Sequence, residues 1–426
     1  MYKIKNTNPY RPCIKSNKEY ILTHGKGIPC LVSYKGEASM IWFDNVEFIH
    51  IDNTMVYTKP CHLDLNNVIA ATSAYFAPLA DNRMKRYLRK KVALKMMPLV
   101  YHFLLRFRQC KKMSVSLPIQ QKVLQFGDGC FWDDCGIASS IKGLYMENAL
   151  NDSLIIVHAS NVCHCTEWWE HSPKVHRLHP HATIFAGRCE DNLTHRVQWD
   201  NSTSAVLYCN CEILPNNPLH NWFNKGVGID VLVISIMNDE LPIIPLCDAD
   251  MINYRECCRR VRVLLPQIYS EVDIMGRVRT RKSLALSFSG GGCKSALLAM
   301  QTLEHFKYMA QVRVLTGNSG GAWGLAMYYK YRKQHTTPVE VLLEHCHILS
   351  TKIAPNVISM IQSIDANIKS ADSHSFSVMQ QYNVDWKSVV HTIINGNHFQ
   401  EINWQIFPSN VRVQIPLSLL GNCHVD

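Results

Sequence analysis

The residues best suited to chemistry lie in one short run, Gly317-x-Ser319-x-Gly321. A serine on a tight strand-to-helix turn presents its hydroxyl to a substrate carbonyl, and glycine on either side is needed because a Cβ would clash in that strained backbone. Upstream stands a second glycine run, Ser289-Gly290-Gly291-Gly292. The amides of Gly291 and Gly292, at a helix N-terminus, could hold the oxyanion that attack on a carbonyl creates, and Lys294 adds positive charge beside them.

The elements needed to hold these residues are legible. Residues 283–288 read as a short buried strand, 294–306 as a mostly apolar helix, 312–316 as a second strand and 322–332 as a second helix. Two strand–glycine-loop–helix units in series predict parallel α/β connections. A phosphate-binding P-loop does not fit, because Cys293 stands where the glycine before Lys294-Ser295 should be.

Ser289-Gly290-Gly291-Gly292-Cys293-Lys294, followed by Thr316-Gly317-Asn318-Ser319-Gly320-Gly321-Ala322-Trp323, resembles the patatin-like and cytosolic phospholipase A lipid acyl hydrolases. The resemblance covers residues 283–426, a third of the chain. It implies a three-layer α/β domain with a mainly parallel sheet and Ser319 as the nucleophile of a Ser–Asp dyad. It also implies Gly291 and Gly292 as oxyanion hole, Lys294 in the place of the family's Arg or Lys near the phosphate, and phospholipid or another acyl lipid as substrate. No cofactor and no metal are implied. The family's base is an Asp followed by Gly or Ala, on a strand well downstream of the serine. Asp365-Ala366 has the dipeptide but lies early, and Asp426 follows an apolar run but is the last residue. Asp426 is the candidate base, with an aspartate beyond residue 426 as the alternative if the chain is a piece of something longer.

A second constellation is built on thiols. Asp134 is a natural N-cap for a helix whose apolar residues 137, 141, 144 and 145 share a face, and Cys135 would sit in its first turn, where the helix dipole favours a thiolate. Residues 181–187 read as a strand carrying His181, with His195 further on. Cys, then a strand His, then a polar orienting residue is the order of a papain-like thiol hydrolase. Asp134-Cys135-Gly136 with His181 and His195 resembles the NlpC-type branch of that group, and Cys130 is a competing nucleophile. Cys163-His164-Cys165, His171, His176, His179, His181, Cys189, Cys209 and Cys211 form the densest ligand cluster, but no pair has C-x₂-C zinc spacing, so no metal is assigned.

Composition bounds the rest. With 426 residues, 47% hydrophobic and 18% charged, the chain is neither disordered nor coiled coil. It has no apolar run of membrane-spanning length and starts without the apolar core of a secretory signal. Seventeen cysteines, an odd number, favour a reducing, cytoplasmic setting. The net charge of +10 is concentrated in one tract: residues 83–112 are rich in Lys and Arg, and no Asp or Glu occurs between Asn82 and Gly127. With the apolar stretch at 92–105, this tract suits the surface of an anionic membrane, the alternative being a core helix with a solvated basic face. No aromatic-interleaved motif points to nucleic acid.

The expected organisation has four parts. They are N-terminal strands with the basic segment (1–115), a smaller Cys/His-rich α+β domain (116–215), a connector with its own strand (216–282) and the patatin-like domain (283–426). The expected function is a lipid acyl hydrolase, peripheral to membranes. The alternatives are a thiol hydrolase centred on Cys135 and His181, or a non-catalytic membrane-associated interaction protein.

Overall fold

A computed structural model describes residues 13–15, 19–24, 28–32, 40–45, 48–51, 54–57, 64–74, 115–119, 122–129, 135–160, 185–189, 195–199, 202–213, 228–236, 241–270, 272–352, 386–398 and 400–423. β1 (Cys13–Lys15), β2 (Glu19–His24) and β3 (Ile28–Val32) form an antiparallel sheet of their own. β4 (Met40–Asp44), β5 (Phe48–Ile51) and β6 (Thr54–Tyr57) precede α1 (Leu65–Thr72). β7 (Val115–Ile119) and β8 (Lys122–Asp128) precede α2 (Ile137–Met146) and β9 (Ser153–Ala159). β10 (Phe185–Cys189), β11 (His195–Trp199), β12 (Ser202–Ile213) and β13 (Gly228–Ile236) lead to α3 (Asp248–Ser270) and α4 (Val272–Arg279). The remainder runs β14 (Ser283–Phe288), α5 (Cys293–His305), β15 (Val312–Gly317), α6 (Gly320–Tyr331), α7 (Pro338–Lys352), α8 (Trp386–Asn395) and β16 (Arg412–Cys423).

Thirteen strands join in one mixed sheet with a parallel centre, β13-β9-β14-β15-β16. β12, flanked by β10 and β11, extends it antiparallel beyond β13. On the other side β4 and β8 share one edge of β16, β4 pairing with residues 414–418 and β8 with 417–423. The sheet therefore crosses the boundaries drawn from composition. β9, from 116–215, lies between β13 of 216–282 and β14 of 283–426, so strands distant in sequence build a single centre.

Every residue of β9 and β14 is buried, as parallel strands covered on both faces require. Leu284, Leu286 and Phe288 point into the core formed with α1 and the helices α3 and α5–α8. Ser287 faces α2 instead, and its hydroxyl donates to the Cys135 carbonyl at 2.5 Å. Further along α2, a Cβ at Gly143 would stand 2.7 Å from Val314 Cγ1, so this helix rests directly on β15. On the opposite face α5 and α6 cross closely through small residues: a Cβ at Gly324 would meet the Ala296 carbonyl at 2.5 Å. Among the described residues no helix is long and apolar enough to cross a membrane.

Candidate active site

Ser319 stands where β15 gives way to α6, with φ 49° and ψ −118°. Its neighbours fix that turn. The Asn318 amide donates to the Phe288 carbonyl at 3.0 Å, the Gly321 amide to the Asn318 carbonyl at 2.8 Å, and the Ala322 amide to the Ser319 carbonyl at 3.0 Å. The Ser319 amide donates to Thr72 Oγ1 at 3.3 Å. Ser319 is 8% exposed, so it is largely shielded yet not sealed. Only glycine fits after it: a Cβ at Gly320 would stand 2.5 Å from the Gly292 nitrogen, and one at Gly321 2.5 Å from the Phe288 carbonyl oxygen.

The second glycine turn lies against the first. Gly291 and Gly292 have φ of 134° and 60°, backbone that side chains rarely adopt. The turn is anchored to the end of β9: the Ser289 amide donates to the His158 carbonyl at 3.1 Å, and the Ser160 hydroxyl donates to the Gly290 carbonyl at 2.9 Å. In a trans peptide the N–H points opposite to the C=O, so a Gly290 carbonyl turned toward Ser160 turns the Gly291 amide away from β9. The Cys293 amide is already spent on the Ile243 carbonyl, at 2.7 Å. The parallel strands β9 and β14 continue to opposite sides of the sheet, to β13 and β15, which puts the turn at a topological switch point, where such sheets open a crevice.

His158, the penultimate residue of β9, is no proton carrier near neutral pH. Its ring is buried, stacks on Phe288 with centroids 5.2 Å apart, and pairs through Nε2 with the Tyr269 hydroxyl. Burial lowers its pKa to about 3 and pushes that of the Tyr269 phenol upward.

Two segments distant in sequence also reach the serine turn. Thr72, at the end of α1, donates to the Pro416 carbonyl at 2.6 Å while accepting from Ser319. The turn after β8 reaches the same place: the Gly129 amide donates to the Thr72 carbonyl at 3.2 Å, and a Cβ at Gly129 would stand 2.5 Å from Asn318 Oδ1. Thr72 and Gly129 carry no local motif, because α1 and β8 lie far upstream of the serine.

The other expected residues are distributed as follows. Gly291, Gly292 and Ser319 come together. Lys294 is half-buried in the first turn of α5, on the face it shares with Leu297 and Leu298; these three line a narrow cleft with Ser160, Leu241 and Val261 from which Ser319 is absent. Asp426, Asp365, Cys130, His181, the basic tract 83–112 and residues 163–179 of the Cys/His cluster lie outside the described residues. Cys135 differs from expectation. Gly136 in left-handed conformation is the N-cap, so Cys135 precedes α2 rather than occupying its first turn, and it is 2% exposed. Tyr145, expected on the buried face of that helix, is 46% exposed. His195 begins β11, whereas Cys135 is bonded to β14; with β12, β13 and β9 between them, at about 4.8 Å per strand, this pair is not brought together.

No family model and no curated protein matches this chain.

Proposed function

We propose that the chain is a serine hydrolase of acyl esters, cleaving a phospholipid or related lipid in a patatin-like three-layer domain. The observation that carries this reading is the positive φ of Ser319 at the β15–α6 turn, with the Gly291-Gly292 turn packed against it. Holding a non-glycine residue in such backbone costs about 1–3 kcal/mol, and strain of this kind concentrates where a side chain must be presented to a ligand. The serine hydroxyl attacks the ester carbonyl, a carboxylate takes its proton, and the Gly291 and Gly292 amides bind the oxyanion. The positive end of α5 reinforces them. A lipid substrate is supported by the motif resemblance and by the basic tract 83–112, whose charge suits an anionic membrane surface.

The test is labelling of the folded protein with a fluorophosphonate probe, comparing wild type with Ser319→Ala and locating the adduct by peptide mass spectrometry. An adduct on Ser319 that is lost in the variant is the expected result. A folded wild-type sample that takes no label overturns the reading.

A further inference from the structure

The acyl-hydrolase reading requires a base near Ser319, and we propose that this base is Asp128; the inference rests on that reading. The group must lie at the C-terminal edge of the parallel strands. His158 is excluded by its burial and its pairing with Tyr269. The strand next to β15 is β16, and Thr72 Oγ1, which accepts the Ser319 amide, donates to the Pro416 carbonyl at 2.6 Å, so the serine turn stands beside Pro416 and Leu417, neither of them an acid. One strand further out, Leu417 is paired with Asp128.

The faces agree as well. Residues paired directly across an antiparallel ladder point to the same side. Phe43 is paired with Ile415, and its ring meets that of Phe126 at 5.8 Å, so Phe126, and Asp128 two residues on, belong to the face of Ile415 and Leu417. Ile415, Leu417, Phe43 and Phe126 share their core with α1 and α6. That is the side of the sheet on which Ser319 opens α6.

Backbone contacts lock the two residues into one unit. The Asp128 amide donates to the Ala74 carbonyl at 3.2 Å, and the next amide, Gly129, to the Thr72 carbonyl at 3.2 Å. The hydroxyl of that same Thr72 accepts the Ser319 amide at 3.3 Å. Gly129 is pressed so closely on Asn318 that a Cβ would stand 2.5 Å from its Oδ1, which explains why glycine follows this aspartate. Asp128 itself is 2% exposed, so its carboxyl group is kept out of bulk water.

In the reaction Ser319 Oγ forms a bond to the acyl carbon as its proton passes to Asp128, directly or through one water. The carbonyl electron pair moves to the oxygen held by Gly291 and Gly292. Collapse of this adduct breaks the bond to the alcohol, which leaves with the proton from Asp128. Water then attacks the acyl-serine, Asp128 again accepting a proton, and the acid departs as that proton returns to Ser319.

The experiment measures fluorophosphonate labelling rates of wild type, Asp128→Asn, Asp128→Ala, Asp365→Asn and Asp426→Asn, each checked for folding by circular dichroism. The expected result is that Asp128→Asn labels on the order of 10²–10⁴-fold more slowly, the range for loss of a general base. Asp128→Ala should regain labelling when formate is added, which a merely structural role would not allow. Asp365→Asn and Asp426→Asn should label at the wild-type rate. Normal labelling of Asp128→Asn, or loss of labelling in folded Asp365→Asn or Asp426→Asn, overturns the assignment to Asp128 and leaves the serine reading standing. A wild type without label instead removes the serine reading itself. Where both Asp128 variants fail to fold, loss of labelling in folded Asp365→Asn or Asp426→Asn still overturns the assignment.

Discussion

Thr72 accepts the amide hydrogen of Ser319 at 3.3 Å, a contact between residues 247 positions apart. The same hydroxyl donates to the Pro416 carbonyl at 2.6 Å, so one side chain ties the end of α1 both to the serine turn and to β16. Thr72→Val keeps the shape and removes the hydroxyl. It strands a buried amide and a buried carbonyl, each worth about 1–3 kcal/mol of desolvation. Denaturant unfolding should show a loss of about 2–6 kcal/mol, the sum of the two, and fluorophosphonate labelling of Ser319 should slow. Thr72→Ser retains the hydroxyl and should keep most of both.

The two glycine turns touch backbone to backbone, and that contact makes a second prediction. A Cβ at position 320 would stand 2.5 Å from the Gly292 nitrogen, and neither partner is a flexible side chain that can yield. Gly320→Ala should therefore push the turns apart, costing about 1–3 kcal/mol as overpacking does, and should abolish labelling of Ser319 in the protein that remains folded.

Gly276 is its counterpart, because a Cβ built there meets nothing within 4 Å. It lies within α4, where alanine is the better helix former. Gly276→Ala should stabilise the protein by about 0.4–1 kcal/mol in urea unfolding and leave labelling unchanged.

What the sequence reveals of this arrangement follows chain continuity. Each glycine turn sits between a strand and a helix that are its immediate neighbours, so local pattern suffices. The expected strand at 283–288 is β14, the helix expected from 294 starts one residue earlier, and the elbow helix starts at Gly320 rather than Ala322. The run ending at Ile236 is likewise a strand, but pattern could not reveal that it lies beside β9 at the centre of the sheet. Parallel pairing joins segments that are far apart, and the compositional change around the Cys/His cluster suggested a boundary that the hydrogen bonds cross. The charged stretch from Tyr254 conceals most of α3, because Tyr254, Cys257, Val261, Leu264, Leu265 and Ile268 keep a buried stripe among exposed Arg and Glu. The closeness of Gly129 to Asn318 was hidden by order alone, since β8 reaches the serine turn through its pairing with β16.

The last prediction concerns the fully buried Lys142 on α2. Its neighbourhood is ionic: Arg412, at the start of β16, donates to Asp44 at 2.8 Å and to Glu147 at 2.7 Å. Burial lowers the Lys142 pKa from 10.5 to about 7, the Arg412 charge lowers it too, and Asp44 opposes both. Between pH 7 and 10.5 the unfolded chain therefore keeps a proton that the folded chain has released, and stability from this group rises with pH across that window. Below pH 7 both states hold the proton and the burial penalty is present in full. Lys142→Met removes the penalty while filling nearly the same space. The variant should exceed wild type in stability by on the order of a few kcal/mol at pH 6, with the difference shrinking steadily toward pH 10. Urea unfolding of both proteins at a series of pH values measures that difference directly, and groups common to both cancel. A difference that does not change with pH would mean that Lys142 keeps an ordinary pKa in the folded protein, and that the Asp44 and Arg412 network carries its charge without penalty.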